Sequence, residues 1–119
     1  MLNHINLMGR LTKDTELRYT QSETPVANFT LAVERDLSDE KKTDFIDCVA
    51  WRNTAEFVCK YFTKGSMMAV GGRLQVRDWF DKENKKRYAT EVVVSNVYFC
   101  GSKNQTFTEL EGEADDLPF

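Results

Sequence analysis

Four stretches of this chain alternate from side to side along an extended backbone, and a fifth, at 88–99, is dense in valine. Such patterns commit most of the length to β-strands. They cover residues 3–12, 26–35, 45–51, 67–80 and 88–99. In the second stretch Ala27, Phe29, Leu31 and Val33 share the core side. In the third, Ile46, Cys48 and Ala50 fall on one face, and Phe45, Asp47, Val49 and Trp51 on the other. In the fourth, Val70, Gly72, Leu74 and Val76 alternate with Arg73, Gln75, Arg77 and Trp79. Two strands therefore carry large rings on the side that a core does not need, and one sets its ring beside two arginines.

Between these stretches the punctuation is regular. Gly9 marks a bulge or sharp bend in the first strand. Residues 16–20 form a short extension closed by a polar turn at 21–25. Residues 36–42 and 81–87 are charged hairpin loops. The spacing predicts one helix over 53–63. Asn53 is its cap, Glu56 stands at the capping-box position, Ala55, Val58, Cys59 and Phe62 form its apolar stripe, and Gly65 ends it. Gly71 and Gly72 suit close packing in a curved strand. Three strands, a helix and two more strands, mostly in long hairpins, match a mainly all-β fold: the five-stranded Greek-key barrel called the OB fold, with one α-helix between strands 3 and 4.

The totals narrow the function. The chain of 119 residues holds one domain and a short tail. The net charge of −3 is unevenly spread, because residues 103–119 set Lys103 against five acids. That tail carries −4 and the rest of the chain +1, so nucleic-acid binding would need local clusters of Arg and Lys plus stacking. No apolar run reaches transmembrane length, and the start lacks the pattern of a secretory signal. Cys48, Cys59 and Cys100 lie in apolar patterns and read as buried thiols in a reducing compartment. His4 is the only histidine, and neither a zinc site nor a catalytic cysteine is expected. Asp44 and Asp47 point to opposite faces of one strand, which disfavours a shared metal ion. No catalytic motif and no cofactor motif is present, so the chain reads as a non-enzyme.

Rings interleaved with guanidinium groups suit a strand of unpaired bases, since rings stack on bases and cations hold phosphates. Trp51 and Trp79 could equally cover hydrophobic edges or a subunit interface. Arg10, Arg18, Arg35, Arg52, Arg73 and Arg77 are phosphate candidates, and each is also an ordinary solvated cation in the simpler reading. Lys82, Lys85, Lys86 and Arg87 cluster on the second hairpin loop.

Several segments then carry a resemblance: NLMGRLTKD at 6–14 with ELRY at 16–19, VANFTLAV at 26–33, and DFIDCVAW at 44–51. KGS at 64–66, GRLQVR at 72–77, TEVVV at 90–94 and the terminal DDLPF complete it. In this order and spacing the chain resembles the bacterial-type single-stranded DNA-binding protein family over essentially its whole length. The resemblance implies base stacking on Phe45, Trp51 and Trp79. A further ring found in some members falls near Leu37 here, and a leucine does not stack as a ring does. It also implies homotetramers, cytoplasmic action at the nucleoid, no cofactor, and roles in DNA replication, recombination and repair. The implied layout is an OB-fold domain at 1–101, a linker at 102–114 and an acidic tip at 115–119. By the resemblance, Asp115, Asp116, Leu117, Pro118 and Phe119 dock to replication, repair and recombination enzymes. The linker is short for the family, which suits a phage, plasmid or other mobile element, or a second copy in a bacterium. A related primosome or RNA-binding adaptor is the nearest rival, and the acidic tip speaks against it.

Overall fold

The computed structural model describes residues 1–36 and 42–100. The acidic tip, the linker and Leu37 lie outside the described residues. Six strands and one helix run in the order β1 (Ile5–Leu11), β2 (Leu17–Tyr19), β3 (Pro25–Glu34), β4 (Thr43–Trp51), α1 (Arg52–Tyr61), β5 (Met67–Phe80) and β6 (Lys86–Phe99). The short extension expected at 16–20 is thus a strand of its own. The sheet order is β1-β5-β6-β4-β3-β2, and β1 also pairs with β3. That second pairing closes the sheet into a barrel with α1 between the third and fourth of its long strands, which is the OB fold.

Closure is made by β1. From Ile5 to Arg10 it pairs with β5, and at Arg10 and Leu11 it pairs with β3. Gly9 sits just before this crossing, and a Cβ there would come 2.6 Å from the carbonyl oxygen of Ala32. The bend expected at Gly9 is therefore the point where one strand serves two edges. Every strand pair is antiparallel except β4 with β6, which run parallel over Cys48–Ala50 and Val92–Val94.

Leu11, Ala27, Phe29, Leu31, Cys48, Ala50, Met68, Val70, Val92 and Val94 fill the interior. The helix contributes Ala55 and Val58, and Phe62 follows them into the core from just beyond its end. Strand β6 keeps its inward residues in phase through one irregularity. Gly71 pairs with Asn96 and Gly72 with Val94, so Ser95 is skipped. With Ser95 paired in regular register instead of skipped, Val97, now buried, would face outward.

Three expectations change. The capping box at Asn53 and Glu56 does not form. The N-cap falls on Trp51, with no side-chain cap hydrogen bond, because strand β4 runs directly into the helix. Arg52 makes that turn at φ 55°, in the left-handed region that side chains rarely adopt. Gly65 does not end the helix. Phe62 does, its N–H bonding to the carbonyl of Val58. Gly65, at φ 89°, instead donates its N–H to the carbonyl of Leu11 across the barrel end. Finally, Leu74 and Val76 are exposed rather than core. Beyond Gly72, β5 has no partner but β6, and the two project as a two-stranded ribbon.

Gly72 is fixed by close approach rather than by its φ. A Cβ there would lie 2.1 Å from the carbonyl oxygen of Val93, so backbone must move to admit one. Gly72→Ala is expected to lower stability by about 2 kcal/mol or more, within the range of overpacked sites. Urea unfolding would show this as an earlier midpoint, and an unchanged midpoint would refute it.

Candidate nucleic-acid interface

Strand register places the three rings on one outward surface with Arg10, Arg18, Arg73, Arg77 and Arg87. On β4, Phe45, Asp47, Val49 and Trp51 lie opposite Ala32, Thr30, Asn28 and Val26 of β3. Arg18 of β2 pairs with Val26, joining the same side. Across the parallel pairing Val49 lies beside Val93, and Val93 lies opposite Arg73. The row then continues along the ribbon as Gln75, Arg77 and Trp79 of β5, opposite Glu91, Ala89 and Arg87 of β6. Rings that the sequence separates by 34 residues thus share one face of one sheet.

All three rings are open to solvent: Phe45 is 67% exposed, Trp51 42% and Trp79 40%. Trp79 already has company. The guanidinium of Arg77 lies 4.7 Å from its ring centroid, in cation–π contact. Arg77 is in turn 3.6 Å from the carboxylate of Glu91, which is only 8% exposed. Glu91 was not anticipated from the sequence as part of this face. Its parity within TEVVV was readable, but its partnership with Arg77 depends on the register of two strands.

Most of the other expected cations are held by acceptors of the protein. Arg35 grips Asp44 with two hydrogen bonds of 2.9 Å. Each raises the other's preference for charge: the carboxyl of Asp44 is held below its ordinary pKa and the guanidinium of Arg35 above its own. Arg18 bonds the side-chain oxygen of Asn28, Arg10 the carbonyl of Gly65 at 3.0 Å, and Arg73 the side chain of Gln75 at 3.1 Å. Arg10 lies on β1 opposite Ala32, which itself lies opposite Phe45, so it shares the outward row of that ring. On the ribbon, Lys85 pairs with Glu83, Lys86 with Asp78 and Arg87 with Asp81. Arg52 is exposed and has no partner among the described residues.

The ribbon tip is built around Asp81. Its carboxylate accepts the N–H groups of Glu83 and Lys85, each at 2.9 Å, and the Nε–H of Arg87 at 2.8 Å. Asn84 takes the left-handed conformation that the turn requires, at φ 63°. The loop is therefore an ordered turn that aims its cations.

Among the described residues no thiol is set up for covalent chemistry. Burial, with help from Asp47 and Glu91, pushes the Cys48 thiol up to about 12, so it is not a thiolate at neutral pH. Cys59 and Cys100, expected to be buried, are only partly so. Among the described residues no cluster of His, Cys, Asp or Glu could hold a metal ion, and no helix is long and apolar enough to cross a membrane.

Comparison with known proteins agrees with this geometry. Residues 2–100 match the family described as the single-strand binding protein family. The chain belongs to that family. It is 48% identical over 124 residues to the single-stranded DNA-binding protein of Halalkalibacterium halodurans, covering 99% of this chain and 74% of that one. It is 48% identical over 107 residues to single-stranded DNA-binding protein A of Bacillus subtilis, covering 87% of this chain and 62% of that one. Single-stranded DNA-binding protein 3 of Streptococcus agalactiae aligns at 40% identity over the full length of both chains. The family is one of binding proteins rather than enzymes.

Asp81 makes the tip sensitive to acid. Hydrogen bonds from the N–H of Lys85 and from Arg87 hold its carboxyl below the ordinary value of about 4. Order at the tip is then complete above that value and lost as pH falls through the lower folded-state value. Amide signals of Glu83 and Lys85, followed by NMR between pH 6 and 2, should shift together with the Asp81 carboxyl. Signals that stay fixed while Asp81 titrates would contradict this.

Proposed function

We propose that this chain coats and protects single-stranded DNA, largely without regard to sequence, during replication, recombination and repair. One observation carries the reading: three exposed rings share a continuous face with Arg18, Arg73, Arg77 and Arg87. Unpaired bases offer π-faces that a duplex hides in its stack. A surface that stacks bases and holds phosphates therefore prefers single strands and ignores base edges.

The ion pairs of these cations do not oppose the reading. Exposed pairs are worth only about 0–1 kcal/mol, so a phosphate can replace the carboxylate of Asp44 or Asp78 at little cost. The same exchange makes binding salt-dependent. Phe45, Trp51 and Trp79 serve as stacking platforms. Arg10, Arg18, Arg35, Arg52, Arg73, Arg77, Lys85, Lys86 and Arg87 serve the phosphates, with Arg52 needing no partner to be displaced.

The chain acts as a homotetramer in the cytoplasm, at the nucleoid. Met8 and Tyr98 support self-association, since both are exposed apolar side chains on the outer side of the β1-β5-β6 sheet. The tip from Asp115 to Phe119 recruits replication, repair and recombination enzymes, its acids steering a basic partner and Phe119 offering a ring.

A tryptophan-fluorescence titration tests the binding. Oligo-dT should quench emission strongly and a matched duplex should not, with weaker binding at higher salt. Trp79→Ala should cost about 1–3 kcal/mol, the worth of one stacked base. Equal quenching by duplex and single strand, or none by either, would sink the proposal.

A further inference from the structure

The face of the β5–β6 ribbon turned away from Trp79 is unexplained by the reading above. Its positions are Leu74, Val76, Asp78 and Phe80 of β5, opposite Val92, Thr90, Tyr88 and Lys86 of β6. These residues have the inward parity of the core, but beyond Leu74 and Val92 no core lies beneath them. Phe80 and Tyr88 are each 64% exposed, and Val76 nearly as much. Phe80 lies opposite Lys86, and Tyr88 is two residues further along that strand, a diagonal within reach of aromatic side chains. Among the described residues neither ring packs on another. Water-exposed rings held on a stiff two-stranded ribbon form an unpartnered surface.

We propose that single-stranded DNA uses both faces of this ribbon, with Phe80 and Tyr88 as two further stacking platforms beyond Phe45, Trp51 and Trp79. The proposal rests on the single-strand binding proposed above and extends it to a second surface.

Charge and continuity favour this occupant. The ammonium of Lys86 stands 5.5 Å from the Tyr88 ring centroid, so the far face repeats the ring-and-cation chemistry of Arg77 and Trp79. Lys82, Lys85 and Arg87 surround the turn that joins the two faces. The acid on the far face, Asp78, is paired with Lys86 at 3.3 Å in an exposed contact that a phosphate can replace. Trp79 and Phe80 are consecutive residues on opposite faces of a single ribbon. Neighbouring strands lie only about 5 Å apart. A polynucleotide leaving Trp79 therefore meets the far-face rings by folding round the ribbon's edge or tip. An aliphatic docking surface would not need a cation beside each ring, whereas stacked nucleotides use both.

Two measurements on the full chain test this. The first compares wild type with a Phe80→Ser, Tyr88→Ser double variant, using affinity for long poly(dT), occluded site size, and mass by sedimentation. Both side chains are exposed, so the fold should persist. At least a five-fold loss of affinity is expected, as one lost stack would give, together with a smaller site size and unchanged mass. Unchanged affinity and site size would overturn the proposal while leaving single-strand binding intact. A variant of lower mass with unaltered binding per subunit would also overturn it, assigning the strip to a contact between copies. Failure of the wild type itself to bind poly(dT) would overturn the underlying reading as well. The second is photocrosslinking of wild type to an oligonucleotide carrying 5-iodouracil. Crosslinks at Phe80 or Tyr88 are expected in addition to those at Trp79. Crosslinks confined to the Trp79 face would overturn the proposal without recourse to any variant.

Discussion

Everything in this molecule depends on one strand serving two edges. By pairing with β5 and then with β3, β1 turns an open sheet with two exposed edges into a closed barrel. Closure requires the backbone of Gly9 to approach Ala32 so nearly that no Cβ fits. Once it is made, the inward residues of five strands enclose a single interior. The outward residues of β2, β3, β4, β6 and β5 then become one surface. The candidate interface is the outside of that closed sheet.

A second constraint follows from strand length. Strands β5 and β6 have 14 residues each, more than the barrel can pair. Their surplus has no strand to pair with but itself, so it leaves the body as a ribbon. A ribbon has two faces and no core. Trp79 and Arg77 occupy one, and Phe80 and Tyr88 the other. The turn at its tip is ordered by a carboxylate, Asp81, which gathers two backbone N–H groups and Arg87. Rings on such a scaffold are held at fixed spacing yet remain in water, where the next favourable step is to stack on something flat.

Much of this was legible beforehand. Period-two alternation located the first four long strands, valine density located the last, and parity assigned Phe45, Trp51, Trp79, Arg73 and Arg77 to their faces, because side-chain direction in a strand follows from sequence parity alone. Parity is silent on depth. Leu74 and Val76 carry the pattern of buried residues but sit where the barrel has ended. The helix boundaries failed for a related reason. Asn53, Glu56 and Gly65 have the right chemistry for caps, yet the strand feeds straight into the helix through Arg52, and Gly65 is taken up by a bond to Leu11.

The sequence by itself determined the strand-rich fold, the outward direction of the rings and the family to which the chain belongs. These are carried by local alternation and by motifs in fixed order. Only the tertiary structure decided which distant residues meet. The pairing of Arg77 with Glu91, the skipped Ser95 that returns Val97 to the core, and the exposure of Phe80 and Tyr88 all follow from register between strands. Register is set by hydrogen bonding and packing across the whole barrel. No short window of sequence contains both partners of those contacts.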